Sequence, residues 1–469
     1  MKTLLRTSSL AVLAFTAAAC TTPMPETLKP GDVPGGFTAP KTPEMATAPT
    51  WPTTEWWKGF SAGELPALEA TAQTENLDLI AAAARVLQAQ ANTGIAGSAL
   101  FPFLSGGGSA GRSGSNTPGT THNTYGVSAQ ASYEVDLWGL NRDKLHAAEA
   151  SELSARYNQQ TVALTITSDV ANTYFDILAL RQRITIAKQN IDAAKRILTI
   201  TEAKVANGVS SNLELAQQRA QLAGEEAAVP ALEEQEREAR YALAILLGKP
   251  PEGFDVTAVN LDGIVTPPVQ PGLPSALLER RPDVAAAEQN LRAAHANVDA
   301  ARAAFFPSLD LSASISQAFN PSSLAWSIGS SLLQTIFDGG RLSSQSDLAK
   351  AQQTELVASY RKAVFSAFSD VESAIGQVTS YAERERLIAE QERNAAEAYR
   401  ISELQYREGV TDLLTVLQTQ QTLFSAQDQL VQIRLARLQA GVSLYRALGG
   451  GWTVATDPNA PPDVGFRPL

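Results

Sequence analysis

The chain has 469 residues and a formal net charge of −11, with 18% charged and 44% hydrophobic residues. An acidic balance argues against a nucleic-acid binder, because neutralising phosphates takes clustered Lys and Arg. No apolar run reaches the ~18 residues of a spanning helix, which excludes a helical membrane bundle.

One cysteine allows no intrachain disulfide, and His122, His146 and His295 lack metal-ligand spacing, so no metal centre and no cofactor are expected. Lys2 and Arg6 precede a short apolar core, Leu10 to Ala19, that ends in small residues. Residues 1–19 therefore read as a secretory signal peptide, too short to span a membrane. Cys20 follows Ala17-Ala18-Ala19 directly. The run resembles a bacterial lipobox, with Ala17 where leucine is usual. The resemblance implies cleavage before Cys20, which then carries N-acyl and diacylglycerol lipid. Thr21 stands where an aspartate would retain a lipoprotein at the inner membrane, so sorting to the Gram-negative outer membrane is expected. Losing Lys2 and Arg6 takes the mature chain from −11 to −13. Residues 20–54 are rich in Pro and Thr, show no helical or strand period and read as an extended tether.

The body repeats itself. Phe101-Pro102-Phe103-Leu104 returns as Phe306-Pro307-Ser308-Leu309, an offset of 205. Ser168-Asp169-Val170, Asn207-Gly208-Val209 and Leu247-Gly248 return as Ser369-Asp370-Val371, Glu408-Gly409-Val410 and Leu448-Gly449, each at 201. Two copies of one unit are expected, over 55–249 and 275–452, with a linker over 250–274 and a loose tail over 453–469.

Each unit reads helix, strand, strand, long helix, turn, helix. Leu77 to Ala91 is Ala-rich and helical, and Phe101-Pro102 ends it. From Tyr125 to Val135, Tyr, Val and Ala alternate with Gly, Ser, Gln and Glu at period two; in the second unit Leu309, Leu311, Ala313 and Ile315 alternate with Ser and Asp. The period then changes. Residues 142–207 hold neither Pro nor Gly, enough for a helix of roughly 100 Å at ~1.5 Å per residue. Ile177, Ile184, Ile191, Leu198 and Val205 fall seven apart, a coiled-coil seam with Leu180, Ala187 and Ala194 as companions. Gly208 breaks the helix, and a second one returns towards Leu247-Gly248, with Pro230 expected to interrupt it. The Pro- and Gly-rich linker is expected to hold one short strand. Leu342–Glu408 repeats the long helix up to Gly409, and the returning helix carries Leu417, Phe424, Val431 and Leu438, again seven apart.

Two strands per unit make four per chain. Four strands cannot close a barrel, and open edges cannot lie in lipid, so strands that span a membrane must be shared between chains. Tyr125 and Tyr133 lie about 26 Å apart along an extended strand, which fits two membrane interfaces.

Several blocks carry a family resemblance: Trp56-Trp57-Lys58-Gly59-Phe60, Asp136-Leu137-Trp138-Gly139, the run LPSALLERRPD from Leu273, the run AAFFPSL from Ala303, and Phe337-Asp338-Gly339-Gly340-Arg341. They resemble the TolC-like outer-membrane efflux factors, in their lipoprotein branch. The resemblance implies a mostly α fold with a β-barrel part, built from the two tandem repeats. It further implies a homotrimer with one twelve-stranded barrel in outer-membrane lipid, continued by a coiled-coil tunnel through the periplasm. The implied function is the exit duct of a tripartite pump for small toxic compounds. Its partners are a periplasmic adaptor (membrane fusion) protein and an inner-membrane transporter of the RND type. A duct for type I protein secretion and a non-porous coiled-coil lipoprotein are the alternatives. No catalytic constellation is found, so no enzyme is expected.

Asn207, Gly208, Val209 and Glu408, Gly409, Val410 read as the two periplasmic tips, with the valines exposed for an adaptor. The family carries an aspartate in a Leu-Asp-Ala-Gln run after the second tip, where a ring of these narrows the resting mouth. The matching run here is Leu417-Gln418-Thr419-Gln420, so the resemblance places Gln418 at the gate, with Gln217 as its repeat counterpart. Thr415 and Glu214 lie one turn nearer the tips. A ring of neutral amides repels less than a ring of carboxylates and attracts fewer cations.

Overall fold

The computed structural model describes residues 23–29, 31–40, 45, 51–114, 121–319 and 322–450. The signal peptide, Cys20 and the tail over 453–469 lie outside the described residues. A 3-10 turn, Trp56–Phe60, precedes helices α1 (Leu65–Glu75) and α2 (Leu77–Ser98), strands β1 (Phe103–Ser113) and β2 (His122–Val135), and helices α3 (Leu140–Ala206) and α4 (Asn212–Leu246). The order then returns as α5 (Pro274–Arg280), α6 (Pro282–Ala303), β3 (Ser308–Phe319), β4 (Ser322–Leu333), α7 (Arg341–Glu408) and α8 (Leu413–Ala447). No described helix is long and apolar enough to cross a membrane.

Two compact units each take segments from both halves of the chain. One gathers the described residues of Ala83–Asn158 and Asp283–Ala363 with those up to Asp32. It contains the sheet, whose four strands lie in the order β1-β2-β3-β4, antiparallel throughout. The register aligns like with like. Ser105, Gln130, Ser314 and Ser327 share one row, and Leu104, Ala131, Ala313 and Ile328 share the next. One face is therefore Ser-, Gly- and Gln-rich, while the other carries Val127, Ile315, Leu324, Trp326 and Ile328, all exposed. At the foot of the sheet Trp138 stacks on Phe306, and Asp136 accepts the amides of Asn141 and Arg142 at 3.1 and 2.9 Å. Asp338 does the same for Gly340 and Leu342, both at 3.0 Å, so each long helix starts on an aspartate cap.

The other unit gathers the described residues of Val33–Ala82, of Gln159–Pro282 and from Val364 onward. Its core holds Trp56, Phe60, Tyr174, Phe175 and Tyr445, with Phe60 and Phe175 rings 5.4 Å apart. The repeat is visible in its fine packing. Asn76 Nδ2 donates to Leu246 O at 2.8 Å and Arg281 Nη1 to Ala447 O at 3.3 Å, equivalent places in the two halves. Gly248 and Gly449 follow at φ of 66° and 89°, and a Cβ on either would meet the carbonyl of Glu75 or Arg280. Those contacts account for the Leu-Gly landmark in both copies.

Two expectations fail. Pro230 does not interrupt α4, which runs on to Leu246 as one helix. The linker contains no strand among its described residues. Arg181 Nη1 donates to the carbonyls of Val256 and Ala258 at 2.6 and 2.8 Å, and Glu64 accepts neighbouring amides, Thr257 at 3.1 Å and Ala258 at 3.4 Å. Two side chains thus take the place of a strand neighbour.

The tether is pinned to α7. Within the first unit Asp32 pairs with Arg361 at 3.1 Å. Within the second, Glu372 accepts Thr38 N–H, Thr38 Oγ1 and Ala39 N–H at 2.6, 2.7 and 2.9 Å, and Thr379 Oγ1 donates to Pro40 O at 2.8 Å.

Candidate functional site

Both helix reversals are built alike. Gly208 and Gly409 take φ of 72° and 79°, the left-handed region where glycine avoids a Cβ penalty. Gly208 N–H donates to Val205 O at 3.0 Å and Val209 N–H to Lys204 O at 2.9 Å. In the second reversal Gly409 N–H donates to Tyr406 O at 3.1 Å and Val410 N–H to Gln405 O at 2.8 Å. This Schellman pairing satisfies the last carbonyls of α3 and α7. Asn207 Nδ2 adds a bond to Ala203 O at 2.7 Å, while Glu408 takes Arg407 Nε at 3.2 Å.

The returning helices are capped at once. Ser211 Oγ accepts Glu214 N–H at 3.3 Å, and Asp412 Oδ1 accepts Thr415 N–H at 2.9 Å. Bonds from the Thr415 side chain and amide hold the Asp412 carboxyl below its ordinary value. Behind the turns, Tyr406 OH meets Thr201 Oγ1 at 3.1 Å, and the Lys204 ammonium lies 4.1 Å from the Tyr406 ring centre. Ile197, Tyr399, Leu413, Val416 and Phe424 form the apolar core beneath. Outside it, Val209 and Val410 stay 73% and 75% exposed. Further back along α3 and α7 lies an open groove of about 540 Å³, lined by Ile200 and Leu404 with Arg196, Arg400, Arg407 and Glu403.

The gate candidates fall into two kinds. Gln418 and Gln217 are exposed in the protomer, and Thr415 and Glu214 are half-buried. The Glu214 carboxylate accepts the Ser210 hydroxyl, so it also belongs to the tip cap. Sequence reasoning passed over their neighbours. Gln420 and Gln218 are fully buried. Gln218 Nε2 donates to Ala194 O at 2.8 Å, whereas neither amide atom of Gln420 has a partner among the described residues. The signal was present: Leu413, Val416, Gln420 and Leu423 follow the alternating three-and-four spacing of a seam. No group of His, Cys, Asp or Glu suited to a metal occurs among the described residues.

Comparisons with known proteins agree with this architecture. The family model described as outer membrane efflux protein matches residues 69–249 and 273–450. The pyoverdine export outer membrane protein OpmQ of Pseudomonas aeruginosa is 42% identical over 414 residues, covering 85% of this chain and 87% of that one. OpmQ of Pseudomonas putida is 38% identical, with 96% and 98% covered. The probable efflux pump outer membrane protein TtgC of Pseudomonas putida is 31% identical, with 88% and 91% covered. Among solved structures, the outer-membrane channel OprN superposes with a TM-score of 0.84 at 28% identity, over 92% of this chain and 100% of that one. The chain belongs to the outer membrane efflux protein family.

Proposed function

We propose that three copies close one twelve-stranded barrel in the outer membrane and that α3, α4, α7 and α8 continue it as a periplasmic tunnel, the exit duct of a tripartite efflux pump. The sheet carries this reading. It presents an apolar face of exposed Trp326, Ile328, Leu324 and Ile315 opposite a Ser- and Gly-rich face, and β1 and β4 each have one strand partner among the described residues. Such a sheet is stable in lipid only when neighbouring copies pair its edges. Cys20 carries the lipid anchor. The tips meet the periplasmic adaptor, with Val209, Val410 and the groove of Ile200 and Leu404 as the contact, and an RND transporter supplies the cargo from the inner membrane.

Relatives named for pyoverdine export stand at 42% and 38% identity, against 31% for TtgC, so pyoverdine is the first cargo to test. Deleting the gene should trap cargo in the cell, and restoring the full chain should release it. Unchanged export of pyoverdine and of antibiotics after deletion contradicts the duct. Cys20→Ser should abolish labelling by radioactive palmitate; persistent labelling refutes the anchor.

A further inference from the structure

The tether has a length that can be compared with the helix beside it. Asp32, Thr38 and Pro40 meet Arg361, Glu372 and Thr379 in that order, so the tether and α7 run in the same direction. The first of these contacts is tied to a turn. Asp32 Oδ2 accepts Arg361 Nη2 at 3.1 Å and Lys29 N–H at 2.8 Å, and Asp32 N–H donates to Lys29 O at 3.0 Å. Ahead of the turn, Pro25, Thr27 and Leu28 are half-buried, and residues 23–29 form neither helix nor strand. Nine residue steps separate Cys20 from Lys29. They span at most about 31 Å, and the turn adds less than about 7 Å. Cys20 therefore reaches no further than about 38 Å from Asp32.

The distance to be covered is nearly as long. Arg361 lies twenty residues into α7, which starts at Arg341. At ~1.5 Å per residue the two are about 30 Å apart. The strand just before, β4, is exposed over its whole length, so α7 leads away from the sheet and does not fold back along it. At that same end the sheet carries its last apolar row, Val135, Leu309 and Leu332. An acylated cysteine sits at the lipid surface, and a sheet that spans the membrane puts that surface at or above this row. The line from Arg361 to lipid is then about 30 Å or more against a reach of about 38 Å, a slack of roughly two residues.

We infer that the tether is a gauge: drawn nearly straight between the lipid on Cys20 and the Asp32–Arg361 pin, it fixes how far the end of the sheet stands from the lipid surface. This rests on the acylated Cys20 and the membrane-spanning sheet proposed above. The test shortens the line. Deleting residues 23–28 leaves about 10 Å of reach ahead of the turn, so lipid and pin cannot both hold. Extracting acyl chains costs far more than breaking one partly exposed ion pair, so the pin yields. Twelve residue steps then separate Cys20 from Thr38, still short of Glu372, eleven residues further along α7, and those contacts go too. In sheared outer-membrane fragments of the acylated full chain, protease should cut between residues 32 and 45 roughly tenfold faster than in wild type, the scale of losing a hydrogen bond to a charged group. Two controls isolate length. Replacing residues 23–28 with as many Gly and Ser residues keeps the length and drops the contacts, and should leave cleavage as in wild type. The deletion in a chain with an ordinary secretory signal and Cys20→Ser, which gains no lipid, should do the same. Slow cleavage of the shortened acylated chain overturns the gauge, and so does fast cleavage in either control. Wild type that takes up no palmitate sinks the anchor itself, and the gauge with it.

Discussion

Glu69 lies in α1 with no exposed surface, and neither carboxylate oxygen has a partner among the described residues. Burial pushes its carboxyl up to about 9. The folded chain therefore holds the proton at neutral pH, while the unfolded chain releases it above about 4.5. Between those values the folded state binds more protons, so the contribution is full below the window and falls as pH rises through it. Glu69→Gln removes the titration while keeping the shape. Circular dichroism melts should show the variant more stable than wild type at pH 8, with the advantage shrinking towards pH 5; an advantage independent of pH contradicts the buried acid. Gln418 belongs to the same scale. Gln418→Asp should create or strengthen block by divalent cations added on the periplasmic side. Strong block of the wild type, unchanged by the substitution, places the constriction elsewhere. The exposure of Gln418 was legible in its place off the seam, but the burial of Gln420 on the seam was masked by its polarity.

At the scale of elements, the tips were the most legible part of the chain. Glycine after a long heptad run, followed three residues later by a capping Ser or Asp, describes a helix reversal in purely local terms. Replacing Val209 and Val410 with Glu should abolish efflux in drug-accumulation assays while leaving the amount of trimer in the outer membrane unchanged. Full efflux removes the tips from adaptor contact. Local rules failed where long-range contacts decide. Pro230 forfeits one hydrogen bond, but α4 has 35 residues and Val229 is buried within it, so the helix persists. The linker lacks a strand because Arg181, 75 residues before Val256, satisfies its carbonyls, which no local pattern announces. The tether's route was equally silent, since Thr38 and Ala39 find Glu372 at separations of 334 and 333 residues. Glu372→Ala should free that stretch, seen as faster proteolytic cleavage between residues 32 and 45 in otherwise intact protein. Unchanged cleavage shows that the other contacts hold the tether alone.

At the scale of the molecule, the strand count was legible in the sequence, and it limits the architecture. Four antiparallel strands with one apolar and one polar face leave two edges that a single chain cannot close in lipid. Period-two patterning marked β2 and β3, whereas β1 is weakly patterned because glycine fills three of its positions in a row. What pairs with the outer edges of β1 and β4 depends on contacts that sequence periodicity does not register. The most direct test of the duct is single-channel recording of the purified, full-length protein in a planar bilayer. Discrete, uniform conductance steps from the assembled protein are expected. Intact trimers that insert into the bilayer and pass no current would contradict a channel.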